Sequence, residues 1–183
     1  MSDRLSRALA LIDAANAADP KGEALLYGQR MSEQLSRLFP AASEVLQVAA
    51  RGQHVERWLL PRSDYPDGKA GYLDWRREQG RRHAERVAGI MAEAGFPETD
   101  CERVGTLLRK EGLKRDPEVQ ALEDVICFVF LTWYFSPFAE GRDAEQTLDI
   151  VRKTARKMSA EGRDRVLREF DLPAPLAEAF RAE

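Results

Sequence analysis

The sequence predicts an all-α protein, and two observations support this prediction. Apolar residues recur every three or four positions along nearly every segment, which is the spacing of one face of a helix. No segment alternates apolar and polar residues as a half-buried strand would. We therefore expect residues 1–183 to form a single all-helical domain, a bundle of about 7–9 helices.

Breaks in the apolar pattern divide the chain into its predicted elements. Pro40 and the pair Ser136-Pro137 are expected to end two of the helices, because proline cannot continue one. Residues 59–69 hold two prolines and a glycine and are expected to be a loop. The predicted helices start with one capped by Ser2 and Asp3, continue with 23–39, about 41–57, 70–94, about 98–111 and 117–135, and end with two or three in 143–182.

The composition is that of a globular chain without a strong overall charge. Hydrophobic residues make up 44% and charged residues 32%, with a net charge of −3, which argues against disorder and gives no general attraction to nucleic acid. Two cysteines are too few for a disulfide framework, and the N-terminus lacks the apolar block of a signal peptide. The apolar run 125–135 is shorter than the roughly 20 residues that span a bilayer. We expect a cytoplasmic protein with no membrane association.

Both histidines of the chain fall in residues 51–87, with two of its three tryptophans. His54 ends the apolar face of the third predicted helix. His83 precedes Val87 and Ile90 at the i+4 and i+7 positions, which places it on the inward face of its own helix. A single inward histidine is usually a core residue bonded to a neighbour, but two of them also suit a metal site.

Glu123 and Asp124 are adjacent acids that precede a long apolar run. One alternative places them in the exposed first turn of their helix, where acids suit the helix dipole. The other alternative buries them, and a buried carboxylate needs a partner or a cation. Under the second alternative, His54, His83 and Asp124 converge from three helices on one divalent metal ion, a ligand set typical of first-row metals.

Basic residues surround the two histidines in sequence. The planar guanidinium of arginine can donate two parallel hydrogen bonds to a phosphate or a carboxylate. We therefore expect an anion-binding surface beside the metal. Arg76, Arg77, Arg81 and Arg82 are expected instead to be a solvated helix face, paired with Asp74, Glu78 and Glu85. The residues predicted to bind the anion are Arg51, Gln53, Arg57, Arg62, Lys69 and Lys114.

Four motifs carry a resemblance to a known family. QHxxRW, PRxxYP, GYxxWR and LEDVxC begin at Gln53, Pro61, Gly71 and Leu122. With these motifs the chain resembles, over nearly its whole length, the family called domain of unknown function 4202. That family name implies no activity.

A weaker resemblance links the chain to HD-domain metal phosphohydrolases, which are all-helical enzymes. The segment that ends in AARGQH is similar to the opening of that fold, and LEDVICFVFL is similar to its late helix. The resemblance matches His54 to the histidine of the His-Asp pair, Asp124 to the late aspartate and His83 to an additional histidine. Val55 stands where the paired aspartate belongs, and Tyr27 or a neighbour stands where the first histidine belongs.

Two functions follow as alternatives. The first is a metal-dependent phosphohydrolase that acts on a nucleotide or another small phosphorylated molecule, with Glu123 or Glu56 as the general base. The second is a non-catalytic protein that uses the same basic pocket to bind a nucleotide, RNA or an acidic partner. RNA is included because aromatic residues, which can stack on bases, alternate here with arginines, which can bind phosphates. These aromatic residues are Trp58, Tyr65, Tyr72 and Trp75. A homodimer is compatible with either alternative.

Overall fold

A computed structural model describes residues 2–181 of the chain. These residues form ten α-helices and no strand, which confirms the all-α prediction, while the number of helices exceeds the predicted 7–9. The chain divides into two compact units, Met1–Glu111 and Gly112–Glu183. The expectation of one domain over the whole chain stays a prediction.

The first unit contains five helices. Serine side chains cap two of them: the Ser2 Oγ accepts from the Leu5 amide at 3.3 Å, and the Ser43 Oγ accepts from the Leu46 amide at 3.1 Å. The longest helix, α4, packs against α5 and α1, and α3 packs against α2 and α5. The helices are α1 (Asp3–Asn16), α2 (Glu23–Leu38), α3 (Glu44–Arg51), α4 (Gly68–Ala94) and α5 (Glu98–Arg109), and two 3-10 turns, Arg57–Leu59 and Arg62–Asp64, join α3 to α4.

The end of α3 differs from its prediction and positions His54. The helix was expected to continue to about residue 57, but it ends at Arg51, so His54 lies in a turn. A Cβ on Gly52 would lie 2.5 Å from Val87 Cγ2, so only glycine lets the chain approach α4 this closely. Glu56 then adopts a left-handed backbone with φ of 50°, which redirects the chain. The turn therefore carries His54 to the part of α4 that holds His83.

The second unit contains the other five helices. Asp116 caps its first helix by accepting hydrogen bonds from the amides of Glu118 and Val119. The last helix packs against the two before it. The helices are α6 (Pro117–Val129), α7 (Phe135–Glu140), α8 (Ala144–Lys157), α9 (Ala160–Glu169) and α10 (Ala174–Arg181).

The prediction that Ser136-Pro137 ends a helix is wrong. A π-helical segment, Phe130–Tyr134, connects α6 to α7, and Pro137 lies within the first turn of α7. A wide π turn and a first-turn position both accommodate a residue that lacks an N–H group. Helical structure thus runs without a break from Pro117 to Glu140, long and apolar enough to cross a membrane by length and composition alone. Half of its most apolar window is buried, and the expected lack of membrane association stays a prediction.

Candidate anion-binding site

The two histidines approach each other in the first unit. Their ring centroids are 6.0 Å apart, and the ring planes are tilted by 48°. His54 is half-buried and stacks on Tyr27 of α2 at 3.9 Å, while His83 is only 5% exposed. The buried Nε2 of His83 has no hydrogen-bond partner within residues 2–181. Neither histidine is therefore the ordinary core residue that bonds to a neighbour.

Both imidazoles are held in their neutral form. Burial lowers the pKa of His54 well below its usual range, and the charge of Arg57 adds to this effect. Burial also lowers the pKa of His83 to about 3, followed by the charges of Arg57, Arg76 and Lys110. At neutral pH each ring can donate one hydrogen bond and accept one.

Two kinds of interaction hold Arg57 in position: hydrogen bonds to the backbone of its turn, and a contact between its guanidinium and the ring of Trp75. The guanidinium carbon lies 4.6 Å from the ring centre of Trp75, a cation–π distance. Gln79 Nε2 donates to the carbonyl groups of Arg57 and Leu60 at 3.1 and 3.0 Å, and Trp75 Nε1 donates to Leu60 at 3.0 Å. These three bonds attach the turn Arg57–Leu59 to α4, so the position of the arginine is set by the fold.

The guanidinium of Arg57 has neither an ion pair nor a hydrogen bond to any residue that the structure describes. Its side chain is half-buried, and burial lowers its pKa to about 10, with a further lowering by Arg76. Arg76 likewise lacks a described ion pair, whereas Arg77, Arg81 and Arg82 pair with Asp74, Glu78 and Glu85 as the spacing predicted. Arg76 thus departs from the solvated face to which it was assigned.

We use the name cationic cluster for Arg57, Arg76, Lys110, His54 and His83. The three cations all lower the pKa of both histidines, so they lie within electrostatic reach of the two rings. Tyr27 and Tyr72 raise the pKa of Arg57, whereas the leading electrostatic influences on the two histidines come from cations. The cluster is therefore a concentration of positive charge suited to an anion.

A groove of about 410 Å³ also opens at His83. Its charged rim is internally paired in part, because Arg86 Nε lies 3.0 Å from Glu56 Oε2 and Arg82 Nε lies 2.9 Å from Glu78 Oε1. Glu56, one of the two predicted bases, is thus an ion-pair partner at this rim. The groove is lined by Val55, Glu56, Leu59, Gln79, Arg82, His83, Glu85 and Arg86.

The other predicted anion ligands of the first unit have varied environments. Arg51 binds Asp13 through two contacts of 2.6 and 2.5 Å and also donates to Ser32. Arg62 donates to the carbonyl groups of Tyr65 and Pro66 at 2.8 Å, which closes its own loop. Lys69 is exposed on the first turn of α4, and Gln53 is 6% exposed with its Oε1 unpartnered. Of these four residues, only Gln53 has a buried side-chain atom that lacks a described hydrogen-bond partner.

The remaining predicted residues belong to the second unit. Asp124 Oδ1 accepts from Ser159 N at 2.8 Å and from Gln120 Nε2 at 3.1 Å, and its Oδ2 accepts from the Ser159 hydroxyl at 2.6 Å. Burial raises the pKa of this carboxyl. Glu123 is 2% exposed, with Lys157 Nζ at 3.9 Å, and Lys114 Nζ donates to Met158 O at 2.6 Å. Both acids are buried, which excludes the alternative of an exposed first turn.

The predicted metal set fits this arrangement only in part. Neutral imidazoles are suitable ligands for a divalent ion, and His54 and His83 lie close together. Three cations around them oppose a further positive charge. Residues 2–181 contain no group of three His, Cys, Asp or Glu side chains that could hold a metal ion. The cluster suits an anion better than a cation, and the metal set stays a prediction.

The predicted site residues did not include Tyr27, Trp75, Arg76 and Lys110, although Trp75 was considered as a stacking residue in the RNA alternative. One signal could have found two of them, because Tyr72, Trp75, Arg76, Gln79 and His83 follow helical spacing along one side of α4. Tyr27 and Lys110 come from α2 and from the end of α5, far away in sequence. Their proximity is a property of the fold.

Comparison with known proteins gives one result. No curated protein and no solved structure matches the chain. The family model described as a domain of unknown function, DUF4202, matches residues 6–179, which cover nearly the entire sequence. The four motifs around the cationic cluster and Asp124 all lie within this match. The chain therefore belongs to the domain of unknown function 4202 family.

Proposed function

We propose that this protein binds a small phosphorylated molecule at the cationic cluster of its first unit. The observation that carries the proposal is the guanidinium of Arg57, half-buried, stacked on Trp75 and without an anionic partner among the described residues. A charge that loses part of its hydration is costly unless it is paired. An anionic ligand would supply the missing partner.

The charges of the cluster favour a phosphate group as that ligand. Arg57 and Arg76 bring two planar guanidinium forks, which form paired hydrogen bonds to phosphate oxygens. Lys110 lies within electrostatic reach of His83 as well, which adds to the positive potential that favours a phosphate. His54, being neutral, can donate one N–H to a phosphate oxygen without adding charge.

Calorimetric titration with inorganic phosphate and with pyrophosphate at constant ionic strength tests this function. We expect Arg57→Met to weaken binding at least about tenfold, because it removes a charged hydrogen-bond donor of the cluster. Arg81→Met is the matched control, since Arg81 lies on α4, the helix that carries Arg76, and already pairs with Glu78 and Glu85. Equal affinities of the wild type and Arg57→Met, or no binding by the wild type, would contradict the proposal.

A second candidate is the metal-dependent phosphohydrolase with an HD-like fold that the weaker resemblance implies. The observation in its favour is the pair of neutral imidazoles at 6.0 Å, each in the form that binds metals. His54 and His83 would hold the ion, and a bound divalent ion would supply an activated water. Elemental analysis of the purified protein and of His54→Ala tests it. A stoichiometric metal that the variant loses supports this candidate, and a metal-free wild type eliminates it.

A further inference from the structure

Tyr72 is the one aromatic side chain that is exposed within residues 2–181, at 45%. It lies on α4 one turn before Arg76, and its ring centre is 5.9 Å from that of Trp75. The neighbouring Trp75 is covered by the guanidinium of Arg57, whereas Tyr72 keeps an open surface. An exposed aromatic ring therefore stands next to the two arginines that lack anionic partners.

An aromatic ring beside a cationic cluster is the composition that recognises a base and its phosphate together. The base stacks on the ring face, and the arginines take the phosphate. Tyr72 and Arg76 are separated by a rise of about 6 Å along the helix, so one ligand that carries both groups can reach them from the same side. The phenol of Tyr72 also lies within electrostatic reach of Arg57.

We propose that the phosphorylated ligand is a mononucleotide whose base stacks on Tyr72 while its phosphate binds Arg57 and Arg76. This inference rests on the proposed function and adds the class of the ligand. A single exposed ring accommodates one base, whereas proteins that bind single-stranded nucleic acid use several aromatic rings in succession. Tyr65, the nearest tyrosine in sequence, is only half-exposed and lies in the loop before α4. The surface therefore suits a mononucleotide better than a strand.

Titration with adenosine monophosphate and with ribose 5-phosphate separates the base from the phosphate. We expect adenosine monophosphate to bind at least about tenfold more tightly than ribose 5-phosphate, because only the nucleotide can stack. Tyr72→Ala should abolish this preference and leave the affinity for ribose 5-phosphate unchanged. Tyr72→Phe should retain the preference, since its ring still stacks. Leu73→Ala is the matched control, because Leu73 is the neighbouring exposed apolar residue at 48%.

Each other outcome overturns a distinct part of the account. If both ligands bind equally and both require Arg57, the nucleotide inference is wrong while phosphate binding stands. If neither ligand nor inorganic phosphate binds, the proposed function fails and the inference fails with it. If a 5′-phosphorylated tetranucleotide binds at least about tenfold more tightly than adenosine monophosphate, the ligand is a nucleic acid strand and the mononucleotide is excluded.

Discussion

The cationic cluster of the first unit and the carboxylate of Asp124 in the second unit differ in whether their polar groups have partners within the protein. Asp124 receives three hydrogen bonds, two from Ser159 and one from Gln120, and both of its oxygens are satisfied. Among residues 2–181, Arg57 has no anionic partner and the buried Nε2 of His83 has no hydrogen-bond partner. The carboxylate of Asp124 is therefore satisfied within its own unit, although the Oε1 of its donor Gln120 is buried without a described hydrogen-bond partner. In the cationic cluster, the guanidinium of Arg57 and the Nε2 of His83 themselves remain without hydrogen-bond partners among the described residues.

Whether a buried polar group has a partner within the protein distinguishes groups that stabilise the fold from groups that can bind a ligand. A satisfied carboxylate connects the elements that donate to it, here α6 and the start of α9, because Ser159 is also the cap of α9. An unsatisfied buried group costs free energy, roughly 1–3 kcal/mol, and a bound ligand is one way in which that cost is recovered. Mutations in the two regions should consequently change different properties.

The largest expected effect is the loss of stability in Asp124→Ala. The substitution removes three hydrogen bonds to a charged acceptor and leaves the Ser159 amide without its partner, so we expect about 3 kcal/mol of destabilisation. Urea denaturation followed by circular dichroism measures the change. Asp149→Ala is the control, because its ion pair with Lys153 is exposed and should contribute less than about 0.5 kcal/mol. Equal small effects from both substitutions would remove the contrast between the regions.

The next effect concerns the pH dependence of stability. The folded-state pKa of His83 is lowered from 6.5 to about 3, chiefly by burial and then by Arg57, Arg76 and Lys110. The unfolded chain therefore takes up a proton that the folded chain excludes, and stability falls as the pH drops below 6.5 toward 3. Between pH 7 and pH 5 this contribution should amount to about 2 kcal/mol.

His83→Gln isolates this contribution, since glutamine does not titrate. Urea denaturation at pH 7 and at pH 5 should show a stability loss about 2 kcal/mol smaller in the variant than in the wild type. The histidine at position 54 remains in both proteins and cancels in the comparison. Identical pH dependences would mean that His83 takes up protons normally in the folded state and is not enclosed by the cluster.

A smaller effect is expected for Arg51→Met, which breaks a satisfied pair. The Arg51 side chain is 14% exposed and Asp13 is 32% exposed, so the variant should lose about 1–2 kcal/mol. Its affinity for phosphate should stay unchanged, because Arg51 already binds Asp13 and Ser32. A tenfold loss of phosphate affinity in this variant, measured by calorimetry, would place Arg51 in the site after all.

Much of the fold could be predicted from local patterns. Capping by Ser2 and the end of α2 before Pro40 follow from single residues, and the inward position of His83 follows from helical spacing. The early end of α3 could not be predicted, because it depends on the approach of Gly52 to Val87, 35 residues later. The continuation past Pro137 likewise depends on a π turn that no local signal indicated.

The site was harder to predict than the fold. Arg51 and Arg57 both flank His54 in sequence, and both were assigned to anion binding. Only the fold distinguishes them, because Asp13 comes from α1 to pair with Arg51, while no described acid reaches Arg57. The absence of a partner is a tertiary property. A pattern along the chain can indicate which residues are charged, but not which of them remain unpaired.

The most direct test of the account is the free energy of unfolding of the wild type and of Arg57→Met, each in chloride and in phosphate at equal ionic strength. In chloride we expect Arg57→Met to be as stable as the wild type or slightly more stable, because a partly buried charge without a partner is removed. Phosphate should stabilise the wild type by mass action and leave the variant unchanged. A variant that loses more than about 1 kcal/mol in chloride, or that gains as much from phosphate as the wild type does, would contradict the claim that Arg57 awaits an anion.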